Sequence, residues 1–290
     1  MPGSSESRMI IRARAVVTMD GAPIENGAVA VSGDRIDDSP PSRAARPGRT
    51  APASSIVDVG KFPEVSAGYP GQEIIDLGEQ VLLPGLINAH CHLDYTCLRG
   101  KIPPQKSFTD WIRAINLEKS KLSPQDYVSS INEGFAEARR FGTTTLANLT
   151  AFPELIAQIQ PPIRTWWFAE LIDVRSPDRA NELVDSAVEL MKSEQNYGLA
   201  PHALFTASKN LYQRCEEASD GNLLTTHLAE SREEMEMFRA AAGPLYEFLK
   251  SIGRSMDDCG KKTPLEYFLS RQTGRPDRMA GRATAHYATA

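Results

Sequence analysis

The sequence has little of several features that mark specialised classes of protein. It contains only four cysteines in 290 residues, and they have neither the C-x-x-C spacing nor the density of a disulfide-stabilised domain. No apolar run approaches the roughly 18 residues that a membrane-spanning helix needs, and residues 1–14 lack the charged start and apolar middle of a secretory signal. We therefore expect reduced thiols, no membrane partner and a cytoplasmic protein.

The charge balance is equally modest. The formal net charge is −5, and the 32 Lys and Arg residues are spread along the chain without the basic stripe that follows a phosphate backbone. Nucleic acid is therefore not an expected partner. With 41% hydrophobic and 24% charged residues, the chain has a globular composition and is long enough for one large α/β domain or two smaller ones.

The first 80 residues have the pattern of a small β domain. Apolar and polar residues alternate over 9–17 and 27–31, with turn signals at Asp20-Gly21 and Gly33-Asp34, which predicts an antiparallel sheet with tight turns. Strand-like sequence returns at 56–59 and 73–77. The intervening residues 37–55 are rich in Pro, Arg and Ser, so we expect an exposed or disordered insert there.

From residue 81 to residue 290 the pattern becomes strand followed by helix, repeatedly, which is typical of a parallel α/β domain. The predicted strands are 86–89, 143–148, 164–171, 199–204 and 223–226, with a weak sixth near the end. The predicted helices are 108–118, 124–141, 178–193, 230–241 and 264–271. Pro124 suits a first helical turn behind Ser123 as the cap, and Gly142 suits the end of that helix.

Histidines mark a candidate metal site. His90 and His92 are two residues apart, so their imidazoles leave the same face of a strand, while Cys91 points to the other face. His227 follows an apolar strand, and Glu230 comes three residues later at a helix start. Two imidazoles from one strand and one from another leave an open coordination position for water. A closed structural zinc site would need four protein ligands.

Four segments in this order resemble the deaminase and chlorohydrolase branch of the amidohydrolase superfamily. They are LPGLINAHCH at 83–92, GTTT at 142–145, APHA at 200–203 and THLAE at 226–230. The resemblance implies a (β/α)8-type TIM barrel beside a small N-terminal β-sandwich, with the active site at the carboxyl ends of the strands. Residues 1–80 would then belong to the sandwich and residues 81–290 to the barrel.

The resemblance also implies roles for the histidines. His90, His92 and His227 would bind one divalent ion, Zn²⁺ or Fe²⁺, and Glu230 would carry protons as general acid and base. His202 would touch the substrate, and His286 falls where a sixth-strand histidine contacts the attacking water. Other readings stay open: Glu230 as an acid favoured at any helix start, and His202 as a hydrogen-bonded residue at a strand end.

Three residues that follow His92 in the sequence are weaker candidates for the substrate pocket. Asp94 and Tyr95 come directly after the metal motif, and Trp111 is placed to stack on a planar ring, although an aromatic residue on a helix is more often part of the core. Asp94 would also share the face of His90 and His92 if the strand stays extended that far. It could then replace the metal-binding aspartate that the family places on its eighth strand, since no Asp follows Asp277.

The barrel region is shorter than the roughly 250 residues of a complete (β/α)8 barrel. We therefore expect an incomplete barrel of five to six strands, apparently truncated at the C-terminus. Its unpaired edges would favour pairing with another chain, which makes a homo-oligomer possible and predicts poor folding or weak metal binding.

The resemblance predicts a metal-dependent aminohydrolase that releases ammonia from an aminated heterocycle. A 6-aminopurine nucleoside is the expected small-molecule substrate, with guanine, cytosine and chlorotriazines as further candidates. The alternative is a catalytically inactive fragment that keeps its metal affinity but lacks the last barrel strands.

Overall fold

The structure is a computed structural model that describes residues 8–33, 55–219, 221–272 and 283–286. The predicted insert at 37–55 lies outside the described residues except for Ser55, where a strand begins. The chain divides into two units, Met1–Ile87 and Asn88–Ala290.

The first unit is built on a five-stranded sheet. Its strands are β1 (Arg8–Val16), β2 (Ile24–Ser32), β3 (Ser55–Lys61), β4 (Glu73–Asp76) and β5 (Val81–Leu82). The order is β3-β2-β1-β4, with β5 also paired to β1. The predicted antiparallel pairing holds for β1 with β2 and for β2 with β3, whereas β4 and β5 run parallel to β1. The sheet is therefore mixed, because the chain crosses over between β3 and β4 through a short helix.

That helix, α1 (Phe62–Gly68), was not predicted from the sequence. It places Val65 against Ile10, Ala28 and Ala30, and all four side chains are buried. Val65 is the buried residue of α1, so this helix closes a small apolar core on one side of the sheet.

The second unit contains a six-stranded sheet in sequence order. Its strands are β6 (Leu86–Cys91), β7 (Thr143–Thr150), β8 (Arg164–Leu171), β9 (Tyr197–Pro201), β10 (Leu223–His227) and β11 (Ala283–His286). Neighbouring strands from β7 to β11 pair in parallel. Sequential order and parallel pairing are the arrangement of a (β/α)8 barrel, and the carboxyl ends of these strands therefore meet at one edge.

Helices connect these strands, except between β7 and β8, where the connection contains a 3-10 helix at Pro153–Gln158. The α-helices are α2 (Phe108–Lys119), α3 (Pro124–Arg140), α4 (Ala180–Met191), α5 (Lys209–Ala218), α6 (Arg232–Ala240), α7 (Pro244–Ser251) and α8 (Pro264–Gln272). The predicted start of α3 is confirmed: Ser123 and Asp126 form a reciprocal capping box with Pro124 in the first turn. Gly142, with φ of 82°, follows the end of α3 as predicted. None of the described helices is long and apolar enough to cross a bilayer.

Two helices and one strand boundary differ from the prediction. The sequence pattern did not predict α5 and α7, which are short and mix polar with apolar residues. The strand expected at 199–204 instead runs over Tyr197–Pro201. The chain returns briefly to the sheet at Ala203, which forms an isolated bridge to His227.

The main core lies between the sheet and its helices. Its largest fully buried side chains include Trp167, Phe135, Phe205 and Phe238, each worth about 1.5–3 kcal/mol or more when removed from water. Phe135 of α3 meets Trp167 of β8 edge to face at 5.9 Å. This contact fixes α3 against the strand that carries the acidic residue of the site described next.

Candidate metal centre

Three histidines converge at the carboxyl ends of β6 and β10. His90 lies in β6, His92 follows it directly, and His227 ends β10. Their ring centroids are 5.1 Å apart for His90 and His92, 4.8 Å for His90 and His227, and 5.2 Å for His92 and His227. One nitrogen from each ring lies within 4.8 Å of the other two. The structure thus brings together all three predicted metal ligands.

His202 joins the cluster from the end of β9. Its ring centroid lies 4.9 Å from that of His227, and its backbone carbonyl accepts the His227 N–H at 2.7 Å. The Nδ1 atom of His202 is hydrogen-bonded to Thr206 Oγ1 at 2.5 Å. Burial lowers the pKa of His202 to about 4, despite the opposing charge of Glu170. This imidazole is therefore neutral near pH 7.

Glu170 is the site residue that the sequence analysis missed. It lies near the end of β8, and its side chain is only 4% exposed. Its Oε1 lies 3.5 Å from His227 Nε2, 3.9 Å from His202 Nε2 and 3.9 Å from His92 Nδ1. Burial alone would raise the pKa of the Glu170 carboxyl, but His202, His227 and His92 together hold it well below its usual range. One local signal was available: a lone acid inside an apolar strand, close to the strand end where barrels place their sites.

Glu230 lies beside His227, as predicted, but in a turn and not in a helix. The sequence placed a helix start at Glu230, whereas α6 begins at Arg232 with Ser231 as its cap. Glu230 Oε1 is 3.2 Å from His227 Nδ1. Burial raises the pKa of the Glu230 carboxyl, with His227 opposing the shift. Burial would lower the pKa of His227, but the carboxylates of Glu170 and Glu230 raise it.

The turn that carries Glu230 is fixed by a second buried acid. Ala229 has φ of 57°, in the left-handed region that L-residues avoid. The Glu234 carboxylate accepts the backbone N–H of Ala229 at 3.2 Å and that of Glu230 at 2.7 Å. Glu234 thereby satisfies the two amides that this turn exposes, and it holds Glu230 next to His227.

Asp94 does not share the histidine face, so the expectation that it replaces a metal-binding aspartate on that face is wrong. The extended strand ends at Cys91, and residues Leu93–Leu98 form a 3-10 helix. Asp94 is fully buried and accepts hydrogen bonds from Thr150 Oγ1 at 2.9 Å and from the Ala151 N–H at 3.0 Å. Burial raises the pKa of Asp94 to about 7. It anchors the loop after β6 to the end of β7.

The remaining candidates occupy different surroundings. The Tyr95 ring stacks on that of His92 with centroids 5.9 Å apart, and its hydroxyl accepts a hydrogen bond from Lys119 Nζ at 2.7 Å. Trp111 lies on α2, is 41% exposed and stacks on Phe108. His286 is the register partner of His227 in the parallel pair of β10 and β11, which puts the two residues at the same level of the sheet.

The cysteine between the two histidines is not suited to bind the ion. Cys91 Sγ donates to the carbonyl oxygen of Ala147 on β7 at 3.3 Å. Burial, aided by the charge of Asp94, raises the pKa of the Cys91 thiol to about 12. The thiol therefore points toward β7 and is already hydrogen-bonded there.

The donor atoms of the cluster fit a divalent transition metal. Imidazole nitrogens and a carboxylate oxygen are ligands that Zn²⁺ and Fe²⁺ accept. Among the described residues, the buried atoms His92 Nδ1 and Glu170 Oε1 have no hydrogen-bond partner. Buried polar atoms are normally satisfied, so a bound cation would account for both.

Comparison with known proteins agrees with this geometry. A 5-methylthioadenosine/S-adenosylhomocysteine deaminase of Moorella thermoacetica is 27% identical over 252 residues, which cover 81% of this chain and 53% of the relative. A 5'-deoxyadenosine deaminase of Methanopyrus kandleri is 28% identical over 200 residues, covering 64% of this chain and 46% of the relative. The chain thus spans about half the length of these relatives.

Solved structures show the same fold. The aminofutalosine deaminase of Helicobacter pylori in complex with methylthio-coformycin superposes with a TM-score of 0.72 at 18% identity, over 91% of this chain and 61% of that chain. A zinc-bound adenosine deaminase of Xanthomonas campestris gives a TM-score of 0.56 at 21% identity, over 85% of this chain and 55% of that one. The predicted incomplete (β/α)8-type barrel is confirmed.

A family model described as "Amidohydrolase family" matches residues 81–257. The match covers more than half of the chain and includes β6 to β10 with the cluster of histidines and both acids beside His227. The chain therefore belongs to the amidohydrolase family.

Proposed function

We propose that this chain carries the metal-binding part of a hydrolase that releases ammonia from an aminated heterocycle, with a 6-aminopurine nucleoside as the substrate class. One observation carries the proposal: His90, His92 and His227 converge from two strands, and Glu230 adjoins His227 at 3.2 Å. The names of the similar deaminases support the substrate class, because methylthioadenosine, S-adenosylhomocysteine and 5'-deoxyadenosine share an adenine nucleoside.

The residues divide the chemistry among them. His90, His92 and His227 would hold one divalent ion, Zn²⁺ or Fe²⁺. Such an ion lowers the pKa of bound water toward neutrality and so supplies hydroxide at pH 7. The reaction replaces the exocyclic amine by oxygen: water adds to the ring carbon, the C–N bond breaks, and ammonia leaves.

Glu230 is the proton carrier in this proposal. Its side chain is 22% exposed, so it contacts the buried cluster through His227 and is still reached by solvent. It would accept a proton from the attacking water and pass it to the ring nitrogen, and it would then carry the second proton of that water to the departing amine. The raised pKa of Glu230 suits a group that must give up a proton as well as take one.

His202 is proposed to contact the substrate from the neighbouring strand. Its neutral imidazole, hydrogen-bonded to Thr206, can offer one nitrogen to a ring or ribose group. His286 is proposed as a further catalytic residue, because its backbone in β11 is in register with that of His227. Trp111 and Asp94 are not assigned a part in this chemistry.

An ammonia-release assay tests the proposal. The chain, loaded with Zn²⁺ or Fe²⁺, is tested on methylthioadenosine, S-adenosylhomocysteine, 5'-deoxyadenosine and adenosine, with guanine, cytosine and a chlorotriazine for comparison. Glu230→Gln should lower the rate by about 10²–10⁴, the usual worth of a general acid or base. Glu236→Gln, at an exposed position on α6, is the matched control and should leave the rate unchanged.

Two results would overturn the proposal. Equal rates for Glu230→Gln and the unmodified chain would remove Glu230 from the mechanism. Full metal occupancy without turnover of any aminated ring would replace the enzyme by a metal-binding fragment.

A further inference from the structure

We infer that Glu170 is a direct ligand of the divalent ion, bound on the same side as His227 Nε2. The inference rests on the metal site of the proposed function, and it does not depend on which substrate, if any, is turned over. Nothing in the sequence motifs assigns a role to Glu170, which lies on β8, between β6, which ends next to His92, and β10, which carries His227.

The carboxylate of Glu170 is deeply buried, and this burial needs a compensating charge. The side chain of Glu170 is 4% exposed, and taking an ionised carboxylate from water to such a site costs several kcal/mol unless a cation offsets the loss. Among the described side chains, no Lys or Arg forms an ion pair with Glu170; its polar neighbours are the imidazoles of His92, His202 and His227. A divalent ion bound by these imidazoles would lie next to the carboxylate and would offset the cost of its burial.

The distance between Glu170 and His227 also favours a shared ion. The 3.5 Å between Glu170 Oε1 and His227 Nε2 exceeds the 2.7–3.2 Å of an ordinary hydrogen bond. A charged imidazolium would be drawn still closer to a carboxylate, to about 2.7–2.9 Å. Two ligand atoms that each lie about 2.0–2.2 Å from one zinc ion, at a roughly tetrahedral angle to each other, are roughly 3.4 Å apart. With three imidazoles and this carboxylate bound, the water of the proposed function would be a fifth ligand. The observed distance fits two ligands of one ion better than a direct contact.

The orientation of the His227 ring determines which of its nitrogens can bind the ion. Its Nδ1 faces Glu230 at 3.2 Å, and its Nε2 faces Glu170. The Nδ1 atom is therefore engaged, and only Nε2 can bind a metal. Glu170, His202 and His227 form a second group whose ligand atoms lie within 4.8 Å of one another. Because both candidate groups use His227, which has one nitrogen to give, they describe one ion and not two.

Metal titration of purified chain tests the inference, with Glu230→Gln as the calibrating variant. Glu230 touches the far nitrogen of His227, and loss of such an orienting partner costs about 10–100-fold in metal affinity. Glu170→Gln keeps the shape of the side chain but loses the charged ligand. We expect its Zn²⁺ dissociation constant, measured by competition with a chromophoric chelator, to rise by more than about 100-fold and to exceed the effect of Glu230→Gln.

Cobalt gives a second readout. We expect the visible absorption bands of the Co²⁺-loaded chain to change in position and intensity in Glu170→Gln, and to keep their positions in Glu230→Gln. A loss of Zn²⁺ affinity below about 100-fold, or Co²⁺ bands unchanged by Glu170→Gln, would overturn the assignment while leaving the proposed deaminase untouched. Conversely, tight binding that depends on Glu170 without any ammonia release would keep the ligand and reject the deaminase.

If Glu170→Gln fails to fold, a crystal structure of the Zn²⁺-loaded unmodified chain tests whether Glu170 binds the ion. The inference requires a Glu170 carboxylate oxygen about 2.0–2.2 Å from the ion. An oxygen beyond ~3 Å, outside the range of zinc coordination, would overturn it.

Discussion

Replacing Glu234 by glutamine tests how the turn behind His227 is held. Glu234 is fully buried, and its carboxylate accepts the backbone N–H groups of Ala229 and Glu230 at 3.2 Å and 2.7 Å. Burial raises its pKa to about 7, although these two hydrogen bonds oppose the shift. The stability of the second unit should therefore depend on pH in part through this side chain.

The direction in which stability changes with pH follows from proton linkage. Because the folded-state pKa of Glu234 lies above the unfolded value of 4.5, the native state holds this proton more tightly than the unfolded chain does. The stabilisation from that proton is fully present below pH 4.5 and is lost as the pH rises through about 7. At about 1.4 kcal/mol per pKa unit, the shift corresponds to about 3 kcal/mol.

Glu234→Gln carries no titrating group and should lack this pH dependence. We would measure urea unfolding of the metal-free chain at about pH 5 and about pH 8 by tryptophan fluorescence, since all three tryptophans lie in the Asn88–Ala290 unit. Between these pH values the unmodified chain should lose about 2.5 kcal/mol more unfolding free energy than the variant. Glu236→Gln, exposed on the same helix, should follow the unmodified chain. Parallel pH profiles for Glu234→Gln and the unmodified chain would refute the reasoning.

Three further measurements test the packing, the turn and the metal site. Gly198→Ala would place a Cβ 2.4 Å from the carbonyl oxygen of Leu223, so unfolding free energy should fall by about 3 kcal/mol; an unchanged urea midpoint would contradict this close approach. Ala229→Gly should raise the unfolding free energy by up to about 1 kcal/mol, because the left-handed φ of 57° disfavours an L-residue; a lower midpoint would count against strain in the turn. Zn²⁺ at 100 times its dissociation constant should add about 2.7 kcal/mol to the unfolding free energy, and His90→Asn should abolish this gain; equal gains would exclude His90 as a ligand.

Local sequence signals were sufficient for much of the fold. Ser123 and Pro124 begin α3, and Gly142 follows its end, because capping and positive φ depend on adjacent residues. The β6 histidines were predicted on one face because strand geometry alternates side chains every residue. The strand ends at Cys91, however, and Asp94 turns into the core through bonds to Thr150 and Ala151. The residues after His92 do not predict this end of the strand, because the hydrogen-bond partners of Asp94 lie at the end of β7.

Glu170 could not be assigned from sequence spacing for a related reason. Its neighbours His92, His202 and His227 come from three other segments of the chain, and only the order of the parallel strands brings them together. A sequence motif can be recognised when its residues lie in one short segment, as His90 does with His92 and His227 does with Glu230. A residue that acts alone from its strand leaves no spacing to recognise, and its depth of burial is a property of the finished sheet.

His227 links the two acids, and this position gives each of them a different effect. An imidazole that donates from Nδ1 to Glu230 keeps the lone pair of Nε2 for a metal ion, and Nε2 is the atom that faces Glu170. Glu230 therefore orients His227 as well as carrying protons, so its loss should reduce both metal affinity and turnover. Glu170 faces the ion's side of the ring and should govern affinity first. The ratio of the two losses in Glu230→Gln and Glu170→Gln consequently separates a residue that acts through His227 from one that shares an ion with it.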